Sequence, residues 1–130
     1  MSDVVFRPDR ATYVRDHAGL AAVAMAGGMV VLWIIGNPYV WTGAVAGLGA
    51  VAFRGWFLMD EELAAEWRLA EGRLEGPGER RIALDAVARV RKLGSAVQIV
   101  TRDGHKHLIK YLAAPDEVRA RIARAAGVAA

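Results

Sequence analysis

The residues best equipped for chemistry are two histidines, His105 and His107. Two apart on a strand, they project their imidazoles from one face and could begin a metal site. A structural or catalytic zinc needs three or four ligands. The chain has no cysteine, and its third histidine, His17, sits far away at the start of an apolar run. No metal is therefore expected. A nucleophile would need a hydroxyl beside a positioned base. Ser95 lies in a Gly-Ser turn, Thr101 ends an apolar run, and no G-x-S-x-G, P-loop or G-x-G-x-x-G is present. Glu61 and Glu62 are adjacent, so on a helix they point apart. The reading is a protein with no catalytic residues and no cofactor.

The remaining candidates are basic: Arg54, Arg89, Arg91, Lys92, Lys106 and Lys110. Against an anionic leaflet each cation gains about 1 kcal/mol. One reading is a specific headgroup site; the plainer one is solvated or membrane-facing charge without a pocket. From Asp60 onward there are 13 Lys+Arg against 11 Asp+Glu, interleaved. The plainer reading is taken on that ground. The absence of any basic run also argues against a nucleic-acid partner.

The elements that would position these groups divide sharply. Apolar residues make up 55% of the 130-residue chain, above the roughly 45–50% of a soluble domain. The excess is concentrated, since no charge occurs between Ala18 and Phe53. Ala18 to Gly36 would make about 28 Å of helix, close to the hydrocarbon thickness of a bilayer. Tyr39 to Phe53 makes a second span, extended to Met59 if Arg54 snorkels. Only Asn37-Pro38 separates them, which demands an antiparallel hairpin. Trp33, Tyr39 and Trp41 suit one interface, Tyr13 and Trp56 the other. Arg7, Arg10 and Arg15 before the hairpin, and Arg54, Arg68 and Arg73 after it, place both termini on the cytoplasmic side. A signal peptide is excluded by the length of the first run and the presence of a second. A soluble helical hairpin is the competing reading, and it is disfavoured because a following domain of about 70 residues could not cover two helices that are apolar all round.

Small residues recur in both spans. Gly43 and Gly47 form a G-x-x-x-G pair, Ala24 and Gly28 a small-x-x-x-small pair, and Gly27 and Gly49 add to the set. Such faces allow close backbone approach. They serve either to pack the hairpin on itself, the reading preferred, or to dock another membrane protein.

The second half reads as strands. Trp67, Leu69 and Leu74 alternate around Glu71-Gly72, a hairpin signal, and Gly76-Pro77-Gly78 punctuates the next run. Ile82 and Leu84 follow at strand spacing. Val87 and Val90, three apart after Asp85, fit one helical turn or a bent strand. Ala96 to Thr101 is a strand, Asp103-Gly104 a type I′ turn, and His105 to Leu112 the returning partner. Pro115 opens a helix with Asp116 and Glu117 in its first turn. Asp60 to Glu66 continues the second span.

Four segments in order, W-R-L-A-x-x-R-L (Trp67 to Leu74), R-R-I-A-L-D-A-V-A-R-V (Arg80 to Val90), S-A-V-Q-I-V-T-x-x-G (Ser95 to Gly104) and A-P-D-E-V-R-A-R-I (Ala114 to Ile122), resemble a bacterial pleckstrin-homology-like domain following a two-helix membrane hairpin. Ala70 stands where that family has Thr, and Ala83 where it has Pro. The length is short for seven strands, so an edge strand is either missing or supplied by Leu63 to Trp67. The resulting expectation is an α+β membrane protein: an arm over residues 1–17, a transmembrane hairpin over 18–59, and over 60–130 a pleckstrin-homology-like antiparallel sheet closed by a C-terminal helix. The resemblance implies a non-catalytic module in a bacterial inner membrane. It would be an accessory or assembly subunit of a larger integral membrane complex, photosynthetic or respiratory, offering that complex a sheet edge or helix groove. The alternative is a peripheral sensor of anionic lipid using the basic set. Membrane lipids are partners in either case, and a homo-oligomer is left open.

Overall fold

The computed structural model describes residues 4–128. Its elements are β1 (Val4–Phe6), α1 (Arg10–Ile34), α2 (Trp41–Leu63), β2 (Trp67–Ala70), β3 (Arg73–Gly76), β4 (Arg80–Ala83), β5 (Val87–Leu93), β6 (Ala96–Thr101), β7 (Lys106–Ile109) and α3 (Pro115–Ala126). They form two compact units. One takes the chain up to Thr12 and from Glu62 onward; the other is the helical stretch Tyr13–Glu61.

The first unit holds two antiparallel sheets, ordered β1-β2-β3-β4 and β5-β6-β7. The first contains a strand that the sequence pattern does not announce. It is β1, from the supposed N-terminal arm, with Val4 opposite Leu69 and Phe6 opposite Trp67. Leu63 to Trp67 contributes only its last residue, as the start of β2. Three residues of Val-Val-Phe carry too little periodicity to mark a strand, and β1 exists because β2 offers it an edge.

Pattern explains most of the rest. Leu74 and Ile82 face each other across β3 and β4, and both are buried. Trp67 lies flat across its neighbour strand, where a Cβ on Gly76 would come within 2.7 Å of the indole. The indole is also the edge partner of His107, at 6.2 Å between ring centroids. Val97 and Ile99 of β6 and Ile109 of β7 share one core with Trp67, Leu74 and Ile82. Against β5 and β6 lies α3, which brings Ile122 and Ala123 into the same core. It starts at Pro115, carries Asp116 and Glu117 in the first turn, and stops at Gly127 in a left-handed conformation.

The ambiguous pair Val87 and Val90 resolves as a bent strand. A 3-10 turn over Leu84–Ala86 precedes β5, and the ladder then skips Ala88, pairing Val87 with Thr101 and Arg89 with Val100. That extra residue is a β-bulge. It lets two valines three apart both point inward, and both are buried. The β6–β7 turn also differs from the type I′ expected, because Gly104 has positive φ while Asp103 does not. The Gly104 N–H instead bonds the Thr101 carbonyl at 3.0 Å, giving a three-residue loop closed by a left-handed glycine. Asp103 stabilises that loop by accepting from the Thr101 hydroxyl and from the His105 N–H.

In the second unit, α1 begins eight residues before the expected Ala18. Asp9 is the reason. Its carboxylate accepts from the Thr12 N–H at 3.0 Å and the Thr12 hydroxyl at 2.7 Å, a side-chain cap on the first turn. The connection spans residues 35–40. Gly36 takes a positive φ, and the Asn37 side chain accepts from the Tyr39 N–H at 2.8 Å. Both helices are long and apolar enough to cross a membrane, and little of either is buried.

The placement of β1 makes a prediction. Phe6→Ala should lower the stability of the β-rich unit by about 3 kcal/mol, the ordinary cost of truncating a buried Phe. Thermal unfolding of the full-length chain with Trp33, Trp41 and Trp56 replaced by Phe, followed by the fluorescence of Trp67, is the measurement.

Candidate functional site

The four small residues expected to pack helices meet along one seam. A Cβ on Gly28 would fall well inside 3.0 Å of the Gly43 carbonyl oxygen, and one on Gly43 equally close to that of Gly28. A Cβ on Gly47 would likewise collide with the Ala24 carbonyl. The backbones therefore touch, and no side chain larger than hydrogen fits at these three glycines. Gly27 and Gly49 lie off the seam, and a methyl group added at either would meet nothing within 4 Å.

The seam continues into a polar contact between the start of α1 and the later part of α2. The Tyr13 hydroxyl donates to the Gly55 carbonyl at 2.7 Å, and Tyr13 is only 1% exposed. Tyr13 is thus a buried strut and not an interfacial belt residue. Its ring stacks on His17 at 4.1 Å, and His17 Nδ1 lies 2.9 Å from the Tyr13 carbonyl oxygen, where it donates. Gly55 is required here too, because a Cβ would meet the His17 ring at 2.9 Å. A cavity of ≈ 240 Å³ adjoins this pair, walled by Val14, Ala21, Val51 and Trp56. Its walls are mostly apolar, with Tyr13 and His17 at one side.

The basic set divides. The register puts Arg89, Val100 and Lys106 in one cross-strand row, and Arg91, Gln98 and Leu108 in the next. These side chains share the outer face of the three-stranded sheet, opposite the buried Val97 and Ile99. No acidic residue stands on that face of β5, β6 or β7. Among the described residues, Arg89, Arg91 and Lys106 make no ion pair, and Leu93 and Leu108 stand exposed beside them. The acids that interleave these cations in the sequence lie elsewhere. Lys92 points from the other face and pairs with Asp116 at 3.3 Å. Lys110 pairs with Glu62 at 3.1 Å. Arg54 lies on α2, in the second unit.

The two histidines differ in their surroundings. His105 lies in the turn, exposed, with Nδ1 3.9 Å from the Asp103 carboxylate. His107 is in β7, half-buried against Trp67. Among the described residues no group of three His, Cys, Asp or Glu is placed to hold a metal ion. The Thr101 hydroxyl donates to the Asp103 carboxylate and has no imidazole as a base. That bond, the His105 N–H and the His105 charge hold the Asp103 carboxyl below its ordinary value. Burial, with Arg80 and His105 nearby, pushes His107 below 6.5.

A further concave surface, which sequence reasoning did not find, lies between β1 and α3. It could not have been found without knowing that Val4–Phe6 is a strand. No family model matches the chain, and neither a curated protein nor a solved structure matches it.

Two outcomes follow from this geometry. Gly43→Ala should destabilise the helical hairpin by about 2 kcal/mol through overpacking, whereas Gly49→Ala should be neutral or slightly stabilising; thermal unfolding in detergent separates them. His107 is easier to protonate in the unfolded chain than in the folded one. Stability should therefore fall as pH drops through 6.5 toward the lower folded value, and be flat with respect to this group above 6.5. His107→Gln should remove that part of the slope in pH-dependent denaturant titrations.

Proposed function

We propose that this chain is a non-catalytic, membrane-anchored interaction module: α1 and α2 cross a bacterial inner membrane as a hairpin, and the β-rich unit works at the cytoplasmic face as an accessory or assembly part of a larger membrane complex. The observation that carries the reading is the outer surface of the two helices. Val23, Trp33, Ile34, Phe53 and Phe57 are each at least 65% exposed. Surface of that kind is costly in water and is satisfied by lipid or by another apolar helix. Backbone contact along the glycine seam is the way helices associate where no hydrophobic drive exists between them. The arginines flanking both outer ends of the hairpin, and the uncharged Asn37-Pro38 turn, support cytoplasmic termini.

The pleckstrin-homology-like resemblance of the sequence is compatible with antiparallel strands followed by a C-terminal helix. That likeness supports a binding role over a catalytic one, by analogy of architecture alone.

A second reading is favoured by one observation, the acid-free basic face. Arg89, Arg91 and Lys106, with exposed Leu93 and Leu108, form a surface suited to an anionic leaflet. At about 1 kcal/mol each, three cations would favour contact by roughly a hundredfold.

Each reading has its own test. Full-length chain expressed in a bacterium should stay in the membrane fraction through alkaline carbonate washing; release into the supernatant would end the membrane reading. For the lipid reading, Leu108→Cys provides a unique label site in a chain with no cysteine. In nanodiscs, headgroup-borne quenchers should dim that label more in phosphatidylglycerol than in phosphatidylcholine. Replacing Arg89, Arg91 and Lys106 by Gln should abolish the difference.

A further inference from the structure

We infer that the groove between β1 and α3 is a docking site for an extended acidic segment of a partner protein, added to the four-stranded sheet as a further strand beside Val4–Phe6. The inference rests on the reading of the β-rich unit as an interaction module and names the partner chemistry.

The first element is an open sheet edge. β1 pairs with β2 on one side and has no ladder partner on the other among the described residues. An edge strand presents alternate N–H and C=O groups to whatever lies alongside, and natural edges are blunted by lysine, proline or bulges. This edge has none within its three residues, Val4, Val5 and Phe6, and Val5 is exposed. Pro8 closes the strand two residues later, so pairing is limited to a short register.

The second element is space. A groove of ≈ 480 Å³ runs between β1 and α3, with Val4, Val5 and Phe6 on one wall and Glu117, Arg121 and Arg124 along the other. Strand addition needs this combination of backbone edge and side-chain wall.

The third is charge. Among the described residues, Arg121 and Arg124 are exposed and make no ion pair, and Glu117 is the one acid lining the groove. The neighbouring acid, Asp116, is engaged by Lys92 at 3.3 Å and by Arg119 at 4.0 Å. The two arginines are three residues apart, about 4.5 Å along the helix axis. Alternate side chains on a strand recur about every 6.7 Å on one face. Flexible arginines bridge that difference, so carboxylates two apart on the helix-facing side of the added strand can each meet one guanidinium. A second copy of this chain would bring its own Arg121 and Arg124 toward these, an unfavourable like-charge pairing. A lipid headgroup has no use for a strand edge.

The probe is a short synthetic peptide of alternating Glu and Val, fluorescently labelled and titrated into full-length protein in detergent micelles. Binding is expected, with affinity reduced about tenfold by R121E/R124E. Affinity should also fall when alternate backbone amides of the peptide are N-methylated, which removes ladder bonds and leaves charge unchanged. A Lys and Val peptide should not bind. R121K/R124K should retain most of the affinity, and an unchanged thermal midpoint excludes misfolding as the cause of a loss. Binding unaffected by R121E/R124E or by N-methylation, absence of binding, or a peptide-independent dimer through β1 would each overturn the inference. If the peptide fails while wild type and R121E/R124E both copurify with a larger membrane complex, the docking site is wrong and the module reading stands. If neither the peptide nor a complex is bound, both fail.

Discussion

One pairing organises the chain: β1 lies antiparallel to β2, with Phe6 opposite Trp67. Everything between those residues, including both apolar helices, is an insertion between neighbouring strands of one sheet. The entry and exit of the insertion are held side by side by a backbone ladder. A single apolar helix could not return the chain to its starting strand, whereas two antiparallel helices with a short connection do. The ladder therefore demands a hairpin independently of the turn at Asn37-Pro38.

The hairpin answers with backbone contact. Glycine at 28, 43 and 47 brings carbonyl oxygens within reach of the facing chain. On the membrane reading proposed above, dispersion over this long seam supplies association where burial of apolar surface gives no advantage. Tyr13 and His17 satisfy each other and the Gly55 carbonyl within this seam, so the polar groups nearest the apolar segment are not left bare. The wide exposure of valine, isoleucine and tryptophan on the remaining surface is the counterpart of this economy.

In the β-rich unit, a single bulge at Ala88 has disproportionate effect. Period-two alternation would have set Val87 and Val90 on opposite faces. By adding one residue, the bulge keeps both in the core and turns Arg89 and Arg91 outward onto the same face as Lys106. The unit's electrostatic character is thus a by-product of strand register. The outer face of the other sheet carries an acid among its cations, since Glu75 stands between Arg68 and Arg81 and pairs with Arg73 at 2.6 Å.

From the sequence alone came what depends on local pattern. The two uncharged spans, the hairpin at Glu71-Gly72, the strand Ala96–Thr101 and the helix opened by Pro115 follow from composition, period and capping, because those signals act within a few residues. Three helices with antiparallel strands lay within the same reach, whereas the division of the strands into two sheets did not. Tertiary structure decided whatever depends on which distant segments meet. It made Val4–Phe6 a strand, because an edge partner and not its own propensity holds it. It set His105 beside Asp103 in an exposed loop and His107 against Trp67 in β7. It massed three cations that look dispersed along the chain and sent Lys92 and Lys110 to acids 24 and 48 residues away. The groove between β1 and α3 is legible only after that assembly, because its two walls come from opposite ends of the chain.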